Sequence, residues 1–123
     1  MNKARIDKMI PSAYEALDRC KIAKNGAIPK TFRGMISSFG ASITMGSLLS
    51  AVCFFSDQGG ASVDRSKLSE VIFYIIKKEH KEGVGSASNL YEYVKANNNR
   101  SVREEVCDAT IAVKLAMNLY VLE

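Results

Sequence analysis

Residues 34 to 56 read GMISSFGASITMGSLLSAVCFFS, 23 positions from Gly34 to Ser56 without a charge. A run of this length raises the question of a membrane span, which needs about 20 apolar residues. Six serines, one threonine and three glycines stand against 13 apolar residues, and basic residues flank only its start, so the run suits lipid poorly. We read it instead as a helix that is hydrophobic nearly all round because it is the central one of a bundle. Gly34, Ser38, Ser42, Gly46 and Ser50 recur every fourth position as a ridge of small residues where backbones can approach closely. Phe32, Ile36, Phe39 and Ile43 form the adjoining bulky stripe that anchors the core.

On the N-terminal side, Ile6, Met9, Ile10, Ala13, Leu17 and Cys20 keep the three-and-four spacing of a helix running to about Lys24. Pro11 means either a kink in that helix or a first-turn position of one that starts there. Asn25 and Gly26 end the helix, and Pro29 prevents an early restart. On the C-terminal side, residues 58–62 make a loop, after which Ser62 or Asp64 caps a helix carrying Leu68, Val71, Ile72, Ile75 and Ile76. Lys77, Lys78 and Lys81 suit the negative end of its dipole. Phe73 to Ile76 has strand propensity, but no second run of similar character exists to pair with it. A short helix over Asn89–Ala96 follows, and Ser101 with Glu104 spells a capping box that opens the last helix, through Val106, Ala109, Val113, Met117 and Tyr120. The expectation is an all-α fold, one domain over 1–123, with five helices around the central apolar one and no strand.

The composition agrees. A chain of 123 residues fills one domain, and 47% hydrophobic residues supply one core and exclude wholesale disorder. Two prolines and eight glycines exclude collagen-like and low-complexity readings. Cys20, Cys53 and Cys107 are dispersed and odd in number, which reads as reduced, buried thiols of a cytoplasmic protein. Lys3, Arg5, Asp7, Lys8 and Glu15 break up any signal-peptide core.

Candidate chemistry is sparse. His80 stands among lysines and glutamates and reads as solvated. Gly83, Val84 and Gly85 begin a dinucleotide-like pattern, but Ser88 occupies the place of its third glycine and a charged helix precedes it. Glu104, Glu105 and Asp108 read as acids stabilising a helix start. We therefore expect no catalytic residue, no metal and no cofactor.

Charge is the feature with functional content. The net is +4, yet residues 1–35 hold eight basic residues against three acidic, a local +5. Lys3 with Asp7 and Glu15 with Arg19 stand four apart and can neutralise each other. Lys21, Lys24, Lys30 and Arg33 have no such partner and are the candidate nucleic-acid contacts, since cations that neutralise phosphates release counterions.

The stretch Thr31 to Phe55, TFRGMISSFGASITMGSLLSAVCFF, resembles the signature of the small-subunit family of type III-B (Cmr) CRISPR effector complexes: a basic and aromatic entry, a small-residue-rich helix with a glycine near its middle, and aromatics at its end. The flanking helices keep the family's order, the last carrying Ala109, Ala112, Lys114 and Ala116. The resemblance implies a non-catalytic, all-α subunit that stacks in several copies along a ribonucleoprotein filament, beside the subunits carrying the CRISPR RNA. Its basic surfaces would line the channel for guide and target RNA, with cleavage left to other subunits. Arg33 is the position carried over from the family; Lys21, Lys24 and Lys30 come from charge alone. The alternatives are a helix-turn-helix DNA-binding regulator, disfavoured by the acids opening the last helix, and a helical protein–protein adaptor without nucleic acid.

Overall fold

The computed structural model describes residues 1–57, 59 and 63–123. Among these the order is α1 (Lys3–Arg19), β1 (Ala27–Ile28), α2 (Lys30–Met45), α3 (Leu48–Phe54), α4 (Ser66–Glu79), α5 (Leu90–Ala96), α6 (Arg100–Met117) and β2 (Val121–Leu122). The all-α class holds, with six helices where five were expected. No helix among the described residues is long and apolar enough to cross a membrane.

The uncharged run is two helices, not one. Ser47 adopts extended backbone and its Oγ accepts from the Ser50 N–H at 3.1 Å, capping α3. Gly46 permits the break: a Cβ there would stand 2.9 Å from the Ser42 carbonyl oxygen. Nor is α2 surrounded. It buries only Phe32, Ile36, Phe39 and Ile43, while Gly34, Ser38, Ser42, Gly46 and Ser50 are all exposed. Its exposed hydroxyls turn back onto their own helix, Ser37 to the Arg33 carbonyl, Ser42 to Ser38 and Thr44 to Gly40, which satisfies a face that carries no charge. The central element is α6, which packs against α1, α2 and α4 and buries ten residues, Val102 to Met117.

Several boundaries differ from expectation for local reasons. The Asn2 side chain accepts from the Arg5 N–H at 3.0 Å and starts α1, so Pro11 lies inside the helix and does not begin it. That helix stops at Arg19, because Lys21 takes a left-handed φ of 63° and the Ile22 and Ala23 N–H groups close onto the Leu17 carbonyl at 3.0 and 2.9 Å. Asn25 and Gly26, both at positive φ (54° and 77°), form a two-residue turn and not a helix end; Lys24 and Ala27 exchange backbone bonds at 2.9 and 3.1 Å across it. The expectation of no strand is corrected by a short parallel pair, Ala27 opposite Val121 and Ile28 opposite Leu122, which ties this turn to the end of α6. The capping box does not form: Asn99 caps α6 through the Val102 N–H at 2.9 Å, ahead of the start that Ser101 would set. At α4, Asp64 Oδ1 accepts from the Ser66 N–H at 3.0 Å; Ser62 and most of the 58–62 loop lie outside the described residues.

One contiguous core links all six helices, with Phe39 at its centre, fully buried and edge-on to Phe55 at 4.9 Å between ring centres. Among the described residues no buried side-chain nitrogen or oxygen lacks a partner.

Candidate nucleic-acid interface

The four cations singled out by charge fall on one continuous connection. Lys21 and Lys24 lie in the turn after α1, and Lys30 and Arg33 occupy the first turn of α2. The three lysines are exposed and Arg33 is half-buried. No carboxylate lies within 4.0 Å of any of them among the described residues. Arg33 Nη1 donates to the Asn118 side-chain oxygen at the end of α6, a neutral partner that fixes the guanidinium's position and leaves its charge uncompensated. The strand pair beneath this connection, and Ile22, Ala23 and Ile28 buried in the core, hold it in place.

Of the other four basic residues of the N-terminal excess, Arg5 and Arg19 are neutralised, while Lys3 and Lys8 make no ion pair among the described residues. Arg19 pairs with Glu15 at 3.0 Å, as the spacing implied. Arg5 pairs with Asp108 at 2.7 Å across the bundle, which the spacing did not imply, and Lys3 and Asp7 form no ion pair. The structure adds a fifth cation to the connection: Lys67 Nζ, from the start of α4, donates to the Lys21 carbonyl at 3.5 Å. The two are 46 residues apart, and no local pattern joins them.

The acids of the last helix do not act together at its start. Glu104 is exposed and pairs with Arg100 at 3.2 Å. Glu105 is buried, accepting from the Tyr93 hydroxyl at 2.8 Å and meeting His80 Nε2 at 2.6 Å. Asp108 is buried against Arg5. His80 is thus a linking residue between α4, α5 and α6, in contrast to the solvated reading. Burial, then the bond to Glu105, pushes the Tyr93 hydroxyl pKa up, so this phenol stays protonated as a donor. Among the described residues no group of three or more His, Cys, Asp and Glu side chains is placed to hold a metal. The cysteines are free thiols; Cys20 and Cys107 are half-buried, while Cys53 is exposed, against expectation. Burial pushes the Cys20 thiol up to about 11. No protein-family model, curated protein or solved structure matches the chain.

Proposed function

We propose that this chain is a non-catalytic RNA-holding subunit, the small subunit of a type III-B CRISPR RNA-guided effector complex in the cytoplasm. In this reading it contributes to antiviral defence by stacking with copies of itself and with other Cmr subunits along the filament. Its partners are guide and target RNA; it uses no cofactor. The observation that carries the reading is the set of uncompensated cations on the α1–α2 connection, displayed by a stiff helical body. The family assignment rests on the Thr31–Phe55 resemblance alone. Lysines meet phosphates as point charges, and the Arg33 guanidinium, held by Asn118, adds a grip that is fixed in direction.

The test is the salt dependence of single-stranded RNA binding, read by fluorescence anisotropy. Replacing Lys21, Lys24, Lys30 and Arg33 together by alanine lowers the slope of log affinity against log salt by about 0.7 for each phosphate that is no longer neutralised. An unchanged slope removes these residues from the RNA surface. One observation favours a second reading, a helical adaptor: the uncharged α2–α3 surface exposes Met45 (86%) and Phe54 (55%). Recovery of a single protein without RNA from the native host would favour it.

A further inference from the structure

A cavity of about 520 Å³ opens between α4 and the start of α5, against the C-terminal end of α1. Its volume lies within the range of small-molecule sites, roughly 300–1,000 Å³. Three aromatic rings line it, Phe73 and Tyr74 from α4 and Tyr91 from α5, together with Cys20, Glu70, Lys77 and Asn89. We propose that this cavity receives an unpaired nucleobase of the RNA strand whose phosphates Lys21 and Lys67 hold; the inference rests on the RNA-holding reading above.

The placement favours a base over other apolar ligands. Lys77, in the lining itself, makes no ion pair among the described residues, and Lys21 and Lys67 each follow a lining residue in the chain, Cys20 and Ser66, with Lys67 Nζ 3.5 Å from the Lys21 carbonyl, so uncompensated cations stand both in the wall and just outside the opening. Every base offers a π-face for an aromatic wall, which makes stacking the sequence-tolerant way to seat one beside a held backbone. Phe73 is buried and fixed, with Lys77 Nζ 5.0 Å from its ring centre; Tyr91 is half-buried and its hydroxyl has no hydrogen-bond partner among the described residues. Tyr74 is held by its own bond to Glu15 at 2.6 Å. The lining also carries polar groups left over from the fold. The Glu70 carboxylate makes no ion pair among the described residues, and the Asn89 oxygen caps α5 while its amide nitrogen has no partner among them. Glu70 offsets the charge of Lys77 in the lining, so the cavity wall carries no net positive charge from this pair and the phosphates are left to Lys21 and Lys67 outside. It accepts from an exocyclic amino group such as cytosine N4, and it opposes the carbonyl that uracil presents at the same position.

The full chain is titrated with short cytidine and uridine oligonucleotides and with an abasic strand of the same length and charge, by anisotropy. The inference predicts that the cytidine strand binds about 5- to 150-fold more tightly than the abasic one, and about tenfold more tightly than the uridine one through the charged hydrogen bond. Tyr91→Ala shrinks the first ratio while the salt slope is unchanged. Glu70→Gln, at an exposed position with no partner to lose, erases the second ratio and remains informative if Tyr91→Ala does not fold. Equal affinity for base-bearing and abasic strands, with a normal salt slope, overturns the pocket and leaves the RNA reading intact. Failure to bind any strand at low salt overturns both.

Discussion

Replacing Asp108 by alanine removes the acid that fastens the first turn of α1 to the middle of α6. Its side chain is 1% exposed, and Oδ2 accepts from Arg5 Nε at 2.8 Å while lying 2.7 Å from Arg5 Nη2; the Asn2 N–H reaches Oδ1 at 3.4 Å. A fully buried pair loses about 3–5 kcal/mol when one partner goes, and a surface pair is worth about 0–1 kcal/mol. Arg5 keeps 29% of its side chain exposed and recovers hydration once Asp108 is gone, so the cost lies between those limits. We expect about 2–3 kcal/mol for Asp108→Ala by urea unfolding, since the guanidinium also loses both of its charged hydrogen bonds. For a chain of this size that is a fall in Tm of roughly 6–15 °C, at about 3–5 °C per kcal/mol. A double-mutant cycle with Arg5→Met isolates the pair from the packing of the two side chains. A loss below about 1 kcal/mol, or a coupling energy near zero, would refute the reasoning that this contact fastens α1.

Three further perturbations test other joints of the fold. Phe39→Ala empties the centre of the core and costs about 3–5 kcal/mol, because the ring is 0% exposed and packed edge-on to Phe55; a loss under about 1.5 kcal/mol in urea would mean the site collapses to fill the void. Gly46→Ala drives a methyl to 2.9 Å from the Ser42 carbonyl oxygen and costs about 1–3 kcal/mol, whereas the same change at Gly34, where a Cβ meets nothing within 4 Å, is tolerated; equal effects at both positions would contradict the origin given for the α2–α3 break. The Glu15 carboxyl is held below its ordinary value of 4.5, first by the Tyr74 hydroxyl and with help from Lys78 and Arg19, against an opposing desolvation. A folded value below the unfolded one stabilises above pH 4.5 and is lost as the pH falls through the folded value, so Tyr74→Phe moves the Glu15 titration up towards 4.5, lowers stability above that pH and flattens the acid limb of the stability curve; an NMR titration that does not move would contradict this.

The parts of the fold legible in the sequence are those set by local periodicity. The α1 stripe from Ile6 to Leu17, apart from the half-buried Ile10, the α4 stripe from Leu68 to Ile76 and the α2 stripe Phe32, Ile36, Phe39, Ile43 are buried where the spacing places them. The break at Gly46 escaped because hydrophobicity continues through it: Leu48, Ala51 and Val52 are as buried as the α2 stripe, and only the Ser47 cap marks the new start. Asn25–Gly26 was ambiguous because the same pair ends helices and makes tight turns, and its partner strand lies at the far end of the chain, at Val121. The uncharged character of the central run was read as burial on all sides; in the molecule α2 exposes small side chains whose hydroxyls bond their own helix, so lack of charge there does not mean lack of water.

At the candidate interface, the absence of acidic neighbours around Lys21, Lys24, Lys30 and Arg33 was readable because it is local. The pairings made at long range were not. Arg5 with Asp108, Lys67 with Lys21, and His80 with Glu105 and Tyr93 join residues 13 to 103 positions apart, and only the packing of α1, α4 and α5 around α6 brings them together.

The most direct measurement is purification of the tagged full chain from its native host under gentle salt, with sequencing of the nucleic acid and identification of the proteins that come with it. The account predicts short CRISPR-derived RNA and other effector subunits, with the RNA depleted when Lys21, Lys24, Lys30 and Arg33 are alanine. A preparation free of RNA, or one whose RNA is retained undiminished by that variant, would contradict it.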